Sequence, residues 1–210
     1  MEKLSQAVAV RWGKPLVFLL CLLPLALLAG RIAAGRLGAN PVEEVLHFTG
    51  DWALRLLLVT LAVTPLRRLT GLGWLLRFRR MLGLFAFFYA LLHFTVYLVL
   101  DRTLDWGEIV ADLSKRPYIM VGFAAFVLLV PLAVTSTRGW VRRLGRRWQV
   151  LHRSVYLIAI LGVLHFLWLV KADLREPLIY AGVLAVLLAF RVPWSRVGGS
   201  RALGKHPGKQ

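Results

Sequence analysis

The sequence predicts an all-α, polytopic membrane protein with six transmembrane helices and both termini in the cytoplasm. Three observations carry that prediction. Apolar residues make up 59% of the 210, charged residues only 18%, and the mean hydropathy is +0.68; soluble domains run at about 45–50% apolar and about 25% charged. Apolar runs of about 20 residues, the length that crosses about 30 Å of hydrocarbon as a helix, recur six times. The basic residues behind the formal net charge of +17 fall mostly on alternate connections between those runs.

The runs are Leu16–Ala34, Val45–Leu66, Met81–Leu100, Tyr118–Ser136, Trp148–Val170 and Leu178–Trp194. Each reads as a helix, because an open strand cannot satisfy its backbone in lipid. The first follows Lys14 as the core of a signal peptide would. Arg31 and Arg36 just beyond it make a poor cleavage context, so it reads as a span. The second is interrupted by Asp51 and Arg55 and is purest over Leu56–Leu66. The longest outer connection, Asp101–Pro117, offers Leu104, Trp106, Ile109, Val110 and Leu113 as the apolar face of an interfacial helix. The organisation is then residues 1–15 as a cytoplasmic N-terminus, 16–194 as the membrane domain and 195–210 as a basic cytoplasmic tail. No internal repeat is evident, and no soluble domain is left over.

Charge placement fixes the orientation. With the N-terminus inside, three basic residues precede the first span, and five lie in each of the other three cytoplasmic segments. The outer connections hold seven, together with eight of the ten acids. The positive charge is therefore a topology signal, and nucleic acid is excluded as the partner. One cysteine, Cys21, excludes a disulfide framework and any cysteine-held zinc or iron–sulfur centre.

Ionisable residues at membrane depth are functional candidates. They are His47, Asp51 and Arg55 in the second span, His93 in the third, and His152, Arg153 and His165 in the fifth. His93 lies 13 residues past Arg80 on an outward-running helix, about 20 Å deep, and His165 lies 6 residues before Lys171 on another. The two share a depth in the outer half, as two axial ligands of a haem held between helices must. Flat and small neighbours surround them: Phe85, Phe87, Phe88, Tyr89, Phe94 and Tyr97 on one helix, Gly162, Phe166 and Trp168 on the other. The competing reading is that each histidine hydrogen-bonds to another helix. His152 sits near the cytoplasmic face, about 140° around a straight helix from His165. No histidine near Met81 is available as its partner, so a second haem would need an unusual ligand. Arg153 either snorkels to the surface or binds an anionic cofactor. His47, Asp51 and Arg55, spaced four apart, form one stripe: a self-compensated helix contact, a quinol or proton site, or an anchor for haem propionates. His206 lies in a polar tail and reads as solvated.

Several stretches taken together resemble the MsrQ family. They include Asn40-Pro41-Val42, His47-Phe48-Thr49-Gly50, Arg79-Arg80-Met81-Leu82-Gly83-Leu84, Arg116-Pro117-Tyr118 and Thr135-Ser136-Thr137. Trp148 to Leu157, His165-Phe166-Leu167-Trp168 and Pro177 to Gly182 add to them. The family sits with the membrane domains of ferric reductases and NADPH oxidases. The resemblance implies an inner-membrane, haem b-binding, non-catalytic electron-transfer subunit, with His93, His152 and His165 as the histidines carried over. It implies a periplasmic molybdopterin methionine sulfoxide reductase as partner. The implied donor is the quinone pool or a cytosolic flavin reductase, since the chain has no flavin or nicotinamide domain. FMN is implied too, although no residue marks a site for it. A stand-alone ferric reductase or cytochrome b561-like protein, and a transporter or assembly factor with structural histidines, are the alternatives.

Overall fold

The computed structural model describes residues 2–170 and 173–191. Lys171, the last three residues of the predicted sixth span, His206 and the tail 195–210 lie outside the described residues.

Local chemistry sets where each helix begins and stops. Helix α1 runs Glu2–Ala33, through the predicted boundary at residue 15. Helix α2, Pro41–Thr70, starts four residues before the apolar run does. Asn40 caps it by accepting from the Glu43 amide, and Pro41 at the first position has no N–H to lose. It stops at Gly71, whose φ of 73° is the left-handed conformation glycine takes without penalty. Helix α3, Leu76–Val96, continues into a π turn, Tyr97–Asp101. Then follow α4, Trp106–Lys115, capped by Asp105, and α5, Pro117–Val134. Helices α6, Arg138–Leu144, α7, Arg146–Arg153, α8, Val155–Leu169, and α9, Arg175–Ala189, complete the described chain. Among the described residues all regular structure is helical.

Among the described residues five stretches are long and apolar enough to cross a membrane: α1 from Arg11, α2, Gly73–Asp101, α5, and α7 with α8. The sixth predicted span is short of the mark, because α9 covers only 15 described residues. The fifth is not one straight helix. At Ser154 the amide bonds to Leu151 O, three residues back at 3.1 Å, and this tightened turn separates α7 from α8. The 140° offset expected between His152 and His165 on a straight helix therefore does not apply.

Helix α2 packs most closely on α3, and α5 on α8; the two pairs meet through α2–α8 and α3–α5 contacts. Their shared core is Leu54, Leu57 and Leu61 from α2, Ala86 and Tyr89 from α3, Leu129 from α5, and Ile158 and Ala159 from α8. Outward faces are apolar and exposed, as at Leu19, Leu27, Ile179 and Val186, which suits contact with lipid tails. Two polar ties hold the outer helices to this core. Pro65 has no N–H to give Leu61 O, and Arg191 donates to that carbonyl instead at 2.8 Å. The Tyr89 hydroxyl enters the backbone ladder of α1 beside Pro24, accepting from Leu25 N at 3.2 Å and donating to Cys21 O at 2.8 Å.

The two helix pairs also repeat one another, against the expectation of no repeat. Leu-Ala-Val-Thr occurs at 61–64 on α2 and at 132–135 on α5. Leu-His-Phe occurs at 92–94 on α3 and at 164–166 on α8.

Candidate haem site and its surroundings

Each repeat delivers one histidine in the same way. His93 on α3 bonds through Nδ1 to Leu46 O of α2 at 3.0 Å, and His165 on α8 bonds through Nδ1 to Tyr118 O of α5 at 2.7 Å. A carbonyl only accepts, so Nδ1 carries the proton in both rings. Each Nε2 is then left as the unprotonated nitrogen, which is the form that binds a metal. Four residues after each carbonyl stands a glycine. A Cβ on Gly50 would lie 3.0 Å from His93 Nδ1, and one on Gly122 would lie 2.6 Å from His165 Nδ1. Only a glycine lets the imidazole edge come so close to the neighbouring backbone.

The two rings come together, with centroids 6.2 Å apart and planes at 77°. A metal–imidazole bond is about 2.0–2.1 Å, so two imidazoles on opposite sides of one metal place their centres roughly 6 Å apart. The separation, the tautomers and the orienting carbonyls all fit an axial pair for haem. Of the aromatic neighbours expected here, Phe87 and Phe94 stack on Phe126 of α5, with centroids 6.1 Å and 4.7 Å away. Phe85 and Tyr89 turn instead towards Phe18 and Trp52, and Trp168 is half exposed. The expected stripe is thus divided between the site and plain packing.

His152 is held differently. The Thr135 hydroxyl donates to Pro131 O at 2.6 Å, so His152 Nε2, 3.1 Å from that hydroxyl, must be the donor to it. Its ring stacks on Trp148 with centroids 3.9 Å apart. His152 and Arg153 line a cavity of about 860 Å³ whose walls also hold Arg79, Arg80, Arg138 and Arg142. This cavity opens among α2, α3 and the α5–α8 segment, on the side of the bundle rich in arginine.

The stripe on α2 faces α9. Asp51 meets Arg55 at 3.3 Å, and Arg55 Nε donates to the Tyr180 hydroxyl at 2.6 Å. His47 lies 3.8 Å from Glu43, and with Asp51, Asp173 and Glu176 it borders a smaller cleft of about 340 Å³.

In the connection Asp101–Pro117, Trp106, Ile109, Val110 and Leu113 share one face of α4 as an interfacial helix would present them, Leu104 preceding the helix. Along that face Ile109 is buried, while Trp106 and Val110 are exposed. The acids of the connection divide likewise. Asp105 accepts from Gly107 N and Glu108 N as the cap of α4, and Asp112 is buried in ion pairs with Arg102 and Arg116. Sequence reasoning also missed Leu46, Gly50, Tyr118, Gly122 and Thr135. The repeated glycine–histidine spacing was the signal available for four of them.

The profile of the family described as ferric reductase like transmembrane component matches residues 49–163. The protein-methionine-sulfoxide reductase heme-binding subunit MsrQ of Xanthomonas campestris pv. campestris (strain 8004) is 54% identical over 208 residues, covering 96% of this chain and 95% of that protein. The protein of the same name from Xanthomonas axonopodis pv. citri (strain 306) is 53% identical over 211 residues, with 98% and 95% covered. That from Herminiimonas arsenicoxydans is 55% identical over 185 residues, with 87% and 85% covered. With a ferric-reductase-like transmembrane domain and relatives of this similarity over nearly its whole length, the chain belongs to the MsrQ family.

Proposed function

We propose that the chain is the haem b-carrying membrane subunit of a methionine sulfoxide reductase system in the bacterial inner membrane, and that it passes electrons outward. The observation that carries this reading is the His93–His165 pair, with both Nδ1 atoms bound to carbonyls and the rings 6.2 Å apart. The relatives, which are named heme-binding subunits of protein-methionine-sulfoxide reductase, support it. Haem bound there supplies one-electron carriage by cycling between ferric and ferrous iron. The chain supplies the rest. Leu46 and Tyr118 fix the tautomer and plane of each imidazole, Gly50 and Gly122 give the rings room, and the surrounding helices exclude water.

Residues 16–194 form the membrane domain in this reading, with the run Leu178–Trp194 as the sixth span and both termini cytoplasmic. The arginine-lined cavity beside His152 and Arg153 lies on the electron-uptake side. Its cations suit an anionic edge, a haem propionate or the phosphate of FMN, the latter from family resemblance alone. The donor is the quinone pool or a cytosolic flavin reductase, and the acceptor is a periplasmic molybdopterin methionine sulfoxide reductase. The Asp51–Arg55–Tyr180 chain supports the structural reading of the α2 stripe, since it ties α2 to α9.

The test is haem quantification and a visible spectrum of the purified chain and its alanine variants. The chain should show the sharp reduced α and β bands of a low-spin bis-histidine haem. His93→Ala and His165→Ala should abolish them. Full, spectrally normal haem in both variants would overturn the assignment.

A further inference from the structure

Asp112 is the one charged residue that is buried among the described residues, 8% exposed. Three groups converge on it: Arg102 Nε at 2.6 Å, Arg116 Nε at 3.1 Å and the donating Tyr97 hydroxyl at 3.2 Å. Burial alone would lower the Arg102 guanidinium, but Asp101, Asp112 and Tyr97 outweigh it and hold that group above its ordinary value. A buried ion network is weak evidence for stability, because desolvation offsets much of the attraction. What it does well is fix geometry.

The geometry fixed here leads to both imidazoles. Tyr97 begins the π turn one turn after His93, and its amide bonds back to His93 O. Such turns recur at functional sites. Arg116, the other arm, donates to the Tyr118 hydroxyl at 3.4 Å, and Tyr118 O is the acceptor for His165 Nδ1. One carboxylate on α4 is therefore tied to the ligand-bearing end of α3 and to the carbonyl that orients the opposite ligand. The link to α4 is itself strained: Thr103 and Leu104 are consecutive non-glycine residues with φ of 47° and 61°. The chain accepts that conformation where it returns α4, and with it Asp112, against α5.

We propose that Asp112 is a positioning residue for the haem site. It clamps the outer ends of α3 and α5, so setting the relative planes of the two imidazoles, and its buried negative charge lowers the reduction potential of the iron between them. This rests on the reading that His93 and His165 hold haem.

The experiment uses the full chain purified with its haem. Asp112→Asn should keep haem stoichiometry. It should raise the reduced-to-oxidised ratio at a fixed ambient potential about tenfold, which is about 59 mV for one electron. It should also change the low-spin electron paramagnetic resonance anisotropy, which reads the angle between imidazole planes. Tyr97→Phe should move the anisotropy with a smaller change in potential, and Asp112→Glu should restore part of both. Glu108→Gln, which removes a largely exposed charge 3.6 Å from the same Arg102 while leaving the contacts of Asp112 in place, should move neither. A wild-type potential and spectrum in Asp112→Asn would overturn the proposal, as would an equal response to Glu108→Gln. If Asp112→Asn does not accumulate, an unchanged anisotropy in Tyr97→Phe overturns it. A wild-type chain without low-spin haem would overturn the underlying haem reading as well; an indifferent Asp112→Asn with haem present overturns only this proposal.

Discussion

His93 and His165 stand on two helices that never pair directly as hairpin partners, yet each bonds to a backbone carbonyl 47 residues earlier in the chain. The equal spacing means that two similar helix pairs, α2–α3 and α5–α8, each build half of one site. Each pair contributes one carbonyl-anchored imidazole, so the site exists only when the four helices are packed together.

The glycines facing the rings give the first prediction. Gly122→Ala places a methyl 2.6 Å from His165 Nδ1, inside any normal contact, whereas Gly50→Ala places one 3.0 Å from His93 Nδ1. Backbone and ring cannot both stay where they are. Gly122→Ala should lose most of the haem, and Gly50→Ala should lose less, when haem per protein is measured after purification. Wild-type haem content in Gly122→Ala would show that the imidazole lies elsewhere in the loaded protein.

The tie between Arg191 and Leu61 gives a second, on stability alone. Pro65 leaves the Leu61 carbonyl without its helical donor, and Arg191 supplies one at 2.8 Å. Arg191→Met should destabilise the fold by about 1–3 kcal/mol, the cost of an unsatisfied buried polar group. In Pro65→Ala the helix can satisfy Leu61 itself, so adding Arg191→Met should then cost clearly less. A double-mutant cycle on unfolding in detergent measures the difference, and strict additivity would refute the coupling.

A third prediction separates the readings of the α2 stripe. If Arg55 chiefly ties α2 to α9 through Tyr180, then Tyr180→Phe should cost about 0.5–1.5 kcal/mol, the usual net worth of one hydrogen bond. The rate of haem reduction by quinol should stay at the wild-type value. A stable Tyr180→Phe or Asp51→Asn protein whose reduction by quinol falls tenfold would favour the quinol or proton role instead.

Much of this was legible in the sequence, for identifiable reasons. The apolar runs located α1, α2, α3 and α5 because hydrocarbon thickness sets a length that few residues can interrupt. The depth argument found His93 and His165 because both helices run the same way from an arginine-rich face. Three things were not legible. The break at Ser154 is a three-residue-back hydrogen bond without a proline or glycine to announce it. The burial of Asp112 depends on Arg102 and Arg116 folding back over α4, so counting outer charges gave it the same exposure as Glu108. The repeat escaped notice because it is carried by backbone acceptors and two glycines, with only Leu-Ala-Val-Thr and Leu-His-Phe as literal echoes.

The inner cavity yields a fourth prediction. His152 lines it and donates to Thr135, and Arg79, Arg80, Arg138, Arg142 and Arg153 line the same cavity. If electrons arrive there, His152→Ala should slow haem reduction by a cytosolic flavin reductase more than haem oxidation by the periplasmic acceptor. Stopped-flow measurement of the two half-reactions decides it, and equal slowing of both with haem retained would count against a cytoplasmic role.

The outer face yields the last. Neutralising Asp105, Glu108 and Asp112 together would be a poor probe of partner docking, because Asp105 caps α4 and Asp112 is buried among arginines. Exposed carboxylates that an approaching protein could meet are Glu108, its side chain 61% exposed and 3.6 Å from Arg102, and Asp173, 69% exposed and 4.0 Å from Arg175, on two different connections. Electron-transfer encounters are small and weak, so such rim charges act on association rate and its salt dependence. Glu108→Gln with Asp173→Asn should slow haem oxidation by the proposed periplasmic partner several-fold at about 0.01 M salt, where charges act over about 30 Å. The deficit should vanish near 0.15 M, where that range falls to about 8 Å, while haem content stays unchanged throughout. A deficit that persists at high salt would mean that the two side chains make direct contacts in the complex, and no deficit at low salt would move docking away from both loops.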